Sequence, residues 1–147
     1  MSANTSGPEL NGANADQRER NTNVSLEISN GMVRLYKEQF GRGPTRVQSH
    51  FAGPDALLCV MDDALLPAES KMVDMGEQQR VREQRMFFQV ATAAEFIAAV
   101  ETITGRTVRA FASASDPDNA VVMENFIFEP ERRGDGRPPA TRPLADR

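Results

Sequence analysis

The sequence predicts an α+β fold built around a four-stranded antiparallel sheet, and a pattern that occurs twice carries that prediction. In each copy a helix-like stretch ends at Gly-Arg, a short strand follows, a Pro-Asp turn reverses the chain, and a second apolar strand returns. The first copy ends its helix at Phe40-Gly41-Arg42, turns at Gly53-Pro54-Asp55 and continues into Ala56–Met61. The second ends at Thr104-Gly105-Arg106, turns at Asp116-Pro117-Asp118 and continues into Ala120–Met123. Two such units, with further helical sequence between them, give the order α-β-β-α-α-β-β with the helices on one face of the sheet. An internal duplication and independent use of the same turn signals both account for the repeat.

Each element has a local cause. Residues 24–40 place Val24, Ile28 and Leu35 beside Met32, Tyr36 and Phe40 at three- and four-residue spacing, the period of a helix with one apolar face. Asn23 suits the N-cap and Gly41 the position after the last turn, and Pro44 prevents continuation. Gly41-Arg42-Gly43 lacks the Lys-Ser/Thr pair of a phosphate loop and follows a helix instead of preceding one. Residues 45–51 alternate, with Val47, Ser49 and Phe51 on one face and Arg46, Gln48 and His50 on the other. Residues 56–61 are apolar on both faces, as a central strand would be. Pro67-Ala68-Glu69 opens a second helix that ends near Gly76. Helical sequence from about Glu77 to Ile103 follows, and Thr92-Ala93-Ala94-Glu95 has the form of a capping box that would break it near Ala91. The last hairpin pairs residues 106–114 with 120–129.

Composition narrows the function. The 147 residues carry a net charge of −4 and divide into a central domain at 24–130 and two tails. Residues 1–23 and 131–147 hold almost no large apolar side chain, so both read as disordered. The central segment has ten basic against fifteen acidic residues, which argues against nucleic acid as partner. The single cysteine, Cys59, lies in an apolar strand and reads as a buried, inert thiol. The N-terminus has neither the basic start nor the apolar run of a signal peptide. No stretch reads as the ~18 apolar residues that span a bilayer. These features predict a cytoplasmic protein without direct membrane insertion. Both faces of the last strand are largely apolar, and one layer of helices covers only one of them, so a second copy of the chain is expected to cover the other.

Few residues carry chemistry. His50 has no second histidine or cysteine pair with which to bind zinc. A nucleophilic Cys59 or serine would need a base that only His50 could supply, with Cys59 itself expected to be buried. Asp62-Asp63 and Asp116-x-Asp118 lack the glycine and distal glutamate of a calcium loop and read as strand and turn ends. No catalytic residue, metal site or cofactor is therefore expected. The methionines (Met72, Met75 and Met86 among them) read as core fillers, with a soft binding face of Met72, Val73 and Met75 alongside Met86-Phe87-Phe88 as the alternative. Arg80, Arg82 and Arg85 are the anion-binding candidates, with Arg82 and Arg85 sharing a helix face where they would hold a carboxylate or phosphate.

Three runs resemble the MpsC-like family of small bacterial proteins of unknown function: Ile28–Pro44, Leu57–Glu69 and Ile103–Val108. The similarity covers roughly residues 25–129. The family takes its name from a sodium-translocating, membrane-potential-generating system. The resemblance implies a non-enzymatic accessory or regulatory protein, linked to membrane energetics or to ion and bicarbonate uptake, with a membrane protein as partner. A small-molecule sensor binding an anion at Arg82 and Arg85 is the alternative, and an enzyme of unknown type the third reading.

Overall fold

The computed structural model describes residues 9–131. The chain runs α1 (Glu9–Phe40), β1 (Arg46–Phe51), β2 (Ala56–Asp62), α2 (Pro67–Asp74), α3 (Gln78–Thr104), β3 (Val108–Asp116) and β4 (Val121–Phe128), with a single 3-10 turn at Pro117–Asn119 between the last two strands. The strands form one antiparallel sheet in the order β1-β2-β4-β3. This is the α+β arrangement that the repeated pattern predicts, with each hairpin closed locally and the two joined through β2 and β4.

The alternation in the strands sorts the sheet into two faces. Leu57, Cys59 and Met61 of β2 and Val122, Glu124, Phe126 and Phe128 of β4 point inward and are buried. Ile28, Met32, Leu35 and Tyr36 of α1 and Phe96 and Val100 of α3 pack against them to complete the core. On the outer face, Leu58, Val60, Met123 and Ile127 are half-buried, and Ala110, Ala112 and Ala114 of β3 are exposed. All three helices leave that face open.

The helix ends follow the expected chemistry. Gly41 and Gly105 sit at φ +75° and +67°, the left-handed conformation that ends a helix without a Cβ clash. The arginine after each glycine ties the helix end to a turn. Arg42 donates to the Leu65 carbonyl at 2.6 Å and to Asp63 Oδ2 at 2.5 Å. Arg106 donates to the Pro54 carbonyl at 2.5 Å and to Asp55 Oδ1 at 2.7 Å. The repeated Gly-Arg is thus a structural device.

Three expectations need correction. The first helix begins at Glu9, not after Asn23. Residues 12–23 are all exposed, so this part of the helix has no apolar period to betray it, and side-chain pairs one turn apart, such as Gln17 with Asn21, support it instead. Residues 1–8 and 132–147, expected as disordered tails, lie outside the described residues. The break near Ala91 does not occur: Thr92 Oγ1 donates to the Phe88 carbonyl at 2.7 Å within an unbroken α3. Finally, α3 is long and apolar enough by length and composition to cross a membrane, because Glu95 and Glu101 are its only charges after Arg85.

Candidate functional site

A row of polar side chains crosses the otherwise apolar inner face of the sheet. Strand register sets Ser49 opposite Cys59, Cys59 opposite Glu124, and Glu124 opposite Ser113. From α1, Ser29 Oγ lies 2.8 Å from Ser49 Oγ, and Ser49 Oγ donates to Cys59 Sγ at 3.4 Å. Also from α1, Tyr36 Oη donates to Glu124 Oε1 at 2.5 Å. Burial pushes the Cys59 thiol up to about 11, in keeping with the inert thiol expected from its strand. Burial likewise drives the Tyr36 phenol far above its ordinary range, so it remains a donor. It pushes the Glu124 carboxyl up to about 7, against the opposing pull of Tyr36, Ser113 and Arg85.

Arg85 reaches this row from α3. Its Nε donates to Glu69 Oε2 at 2.8 Å and its Nη2 to Glu69 Oε1 at 2.5 Å and to the Ala64 carbonyl at 2.7 Å. The guanidinium stacks over the Phe40 ring, 4.7 Å from its centre. Glu69 also accepts the Leu66 N–H at 2.8 Å and so holds the first turn of α2. Both members of this ion pair are buried, a fork-to-fork geometry that fixes the arginine plane.

Two buried atoms here have no hydrogen-bond partner: Arg85 Nη1 and Glu124 Oε2. Both residues line a cavity of about 20 Å³ enclosed by Tyr36, Phe96, Phe111 and Val122, room for a water-sized group. The cavity shares Arg85, Gln89, Ser113 and Ser115 with a groove of about 230 Å³ that also borders Arg82, Met86 and Ala114. The arrangement offers a fixed positive charge, a titratable carboxyl and hydroxyl groups behind apolar walls.

Of the anion-binding candidates, the structure brings Arg82 and Arg85 to one groove and leaves Arg80 out. Arg80 is exposed and pairs with Glu77 at 3.1 Å. Glu124, Tyr36, Ser113 and Gln89 were not singled out by sequence, although Glu124 stands out as a carboxylate in register with Val122, Phe126 and Phe128. His50 is exposed on the outer face of β1. Asp116 caps the 3-10 turn through Asn119 and Asp118 accepts from Gln78 at 2.9 Å, as turn residues do. Asn119 holds the Asp116 carboxyl below its ordinary value. Among the described residues, no three His, Cys, Asp or Glu side chains converge to hold a metal ion.

A second feature lies on α3. Met86, Phe87 and Val90 are 62, 73 and 78% exposed. Ala91, Ala94 and Ala98 continue the same exposed side of the helix, and only 11% of its apolar window is buried. Large apolar groups grouped in this way mark an interaction surface.

The family model described as Na+-translocating membrane potential-generating system (MpsC) matches residues 20–130. No curated protein and no solved structure matches the chain.

Proposed function

Because the chain belongs to the MpsC family, we propose that it is a non-enzymatic accessory or regulatory subunit of a membrane-energising system, working from the cytoplasm and docking on a membrane protein through the exposed face of α3. The observation that carries this reading is the run of Met86, Phe87 and Val90 in solvent. Burying such side chains against a partner supplies about 1.5–3 kcal/mol each, a driving force that the isolated chain leaves unused. The outer face of the sheet, with Leu58, Val60, Met123 and Ile127 along its centre, is where a second copy docks. Light scattering on dilute protein should give a dimer, and a monomer would remove that part of the reading.

Phe87→Glu with Val90→Glu tests the docking face. Both positions are exposed, so the doubly substituted chain should melt within about 0.5 kcal/mol per site of the parent. The parent chain should be recovered with the membrane fraction, and the doubly substituted chain should not. Retention with membranes at the parent's level would overturn the assignment of α3.

The unpartnered Arg85 Nη1 favours a second reading, which is compatible with the first: the chain senses a small anion in the groove between α3 and β3. Arg82 adds a second positive charge to that groove.

A further inference from the structure

We propose that the cavity between Arg85 and Glu124 is a binding site for a small aliphatic monocarboxylate, and that the ligand is taken up together with one proton, which Glu124 holds. The proposal rests on the anion-sensing reading and adds to it the class of ligand and the coupling.

The geometry poses a problem that has two solutions. Arg85 Nη1 is a donor in every state, whereas Glu124 Oε2 is an acceptor when the carboxyl is ionised and a donor when it is protonated. With Glu124 ionised, Arg85 Nη1 and Glu124 Oε2 form a donor and acceptor pair at one cavity. A water molecule, which both donates and accepts, satisfies them, and about 20 Å³ admits one. With Glu124 protonated, two donors meet at the cavity, and a water that accepts from both finds no acceptor in either group for its own two hydrogens. A carboxylate head, which only accepts, serves both.

The charge count leads to the same result. Arg85 is neutralised by Glu69, to which it is bonded twice. The cavity itself, with Arg82 outside it in the groove, is therefore neutral with Glu124 protonated and carries one negative charge with it ionised. An anion entering beside ionised Glu124 would place two like charges behind the walls of Phe96, Phe111 and Val122. Taking up a proton at Glu124 leaves the net charge of the site at its water-filled value.

The neighbours of Glu124 support this on every side. Tyr36 from α1 donates to Oε1 in both states. Cys59 from β2 and Ser113 from β3 stand opposite it in register, both uncharged. From α3, Arg85 is the cation at the cavity and Arg82 borders the groove, and α2 contributes only Glu69 behind Arg85. The groove explains the ligand's tail. It places Met86 and Ala114 next to the polar cavity, a match for a short alkyl chain whose carboxylate reaches inward. The narrow cavity opens to the groove past Gln89, Ser113 and Ser115. It takes one carboxylate oxygen in the place of the water, while the rest of the head and the tail lie in the groove, and it turns away bulky anions.

Acetate is the probe. Isothermal titration of the full chain with sodium acetate, at constant ionic strength, should show binding at pH 6 about tenfold tighter than at pH 8, since Glu124 titrates at about 7. Repeating the titration at pH 8 in two buffers of different ionisation enthalpy should show nearly one proton taken up per acetate bound. Glu124→Gln, which presents a permanent donor, should bind acetate equally at both pH values, and Arg82→Ala should weaken binding at both. Acetate binding that Arg82→Ala weakens, but with no proton uptake in the parent chain, would overturn the coupling and leave the anion site standing. An absence of binding by acetate and by formate at both pH values, in protein shown to be folded, would overturn the anion site as well. The proton count uses the parent chain, so the test holds even where Glu124→Gln fails to fold.

Discussion

Replacing Glu69 with alanine should cost about 3–5 kcal/mol of folding stability, the largest loss expected from any polar substitution in the described residues. Three consequences of the change add up. Arg85 keeps its charge and its buried position, with its exposure at 7% of the side chain, but loses both carboxylate oxygens. The Leu66 N–H at the start of α2 loses its acceptor. The Ala64 carbonyl keeps its bond to Arg85 Nη2 but holds an arginine that has lost its second anchor. Urea denaturation at pH 7 measures the effect through the midpoint at unchanged slope. The paired change Glu69→Met with Arg85→Met should recover most of the loss, because two apolar side chains of similar volume need no partner. A single Glu69→Ala substitution costing less than about 1 kcal/mol would mean that the ion pair is open to water.

Glu124→Gln should have the opposite effect, one that grows as pH rises from about 4.5 and is nearly complete by about 7. The carboxyl titrates at about 7 in the folded chain against an ordinary 4.5. The folded state therefore binds more protons between those values, and stability falls as pH rises from about 4.5 through about 7, by about 3 kcal/mol in all. Below about 4.5 the carboxyl is protonated in both states and its contribution is intact. Glutamine keeps an oxygen for the Tyr36 hydroxyl and carries no charge to desolvate. At pH 8 the substituted chain should be more stable than the parent by up to about 3 kcal/mol, and at pH 4.5 the two should agree to within about 1 kcal/mol. Equal stability at both pH values would place Glu124 in contact with solvent.

The features legible in the sequence are those with local causes. Gly41 and Gly105 mark helix ends because the left-handed conformation they adopt is a property of one residue. Pro67 and Glu69 mark the start of α2 for the same reason, and alternation in β1 separates its two faces directly. Both faces of β4, by contrast, are largely apolar, and only the helices packed on one of them decide which is inward. Arg82 and Arg85 are found by helical spacing. Partnership is what spacing cannot supply: Glu69 lies in a different element from Arg85, and nothing near either residue announces the pair. Tyr36 reads as one apolar member of a stripe, yet its hydroxyl reaches across the core to Glu124. The signal for Glu124 was present, a carboxylate at an inward register between Val122 and Phe126, and its meaning depends on which helices cover that face. The early part of α1 escaped because a helix exposed on every side has no periodic pattern. The apolar side of α3 was legible in part, since Met86-Phe87-Phe88 suit a soft binding face, but methionine and phenylalanine fill cores as readily. The alanines that continue that side read as ordinary helix formers until the structure leaves them in solvent.

The proposal that α3 docks on a membrane protein is tested most directly by photo-crosslinking from position 87 in cells of the native host, with a photoreactive phenylalanine analogue in place of Phe87. Phe87 is 73% exposed, so the analogue enters without disturbing the core. The expected product is an adduct that fractionates with membranes and contains one copy of this chain joined to an integral membrane protein. An adduct made only of two copies of this chain, or the absence of any adduct from folded, labelled protein, would contradict it.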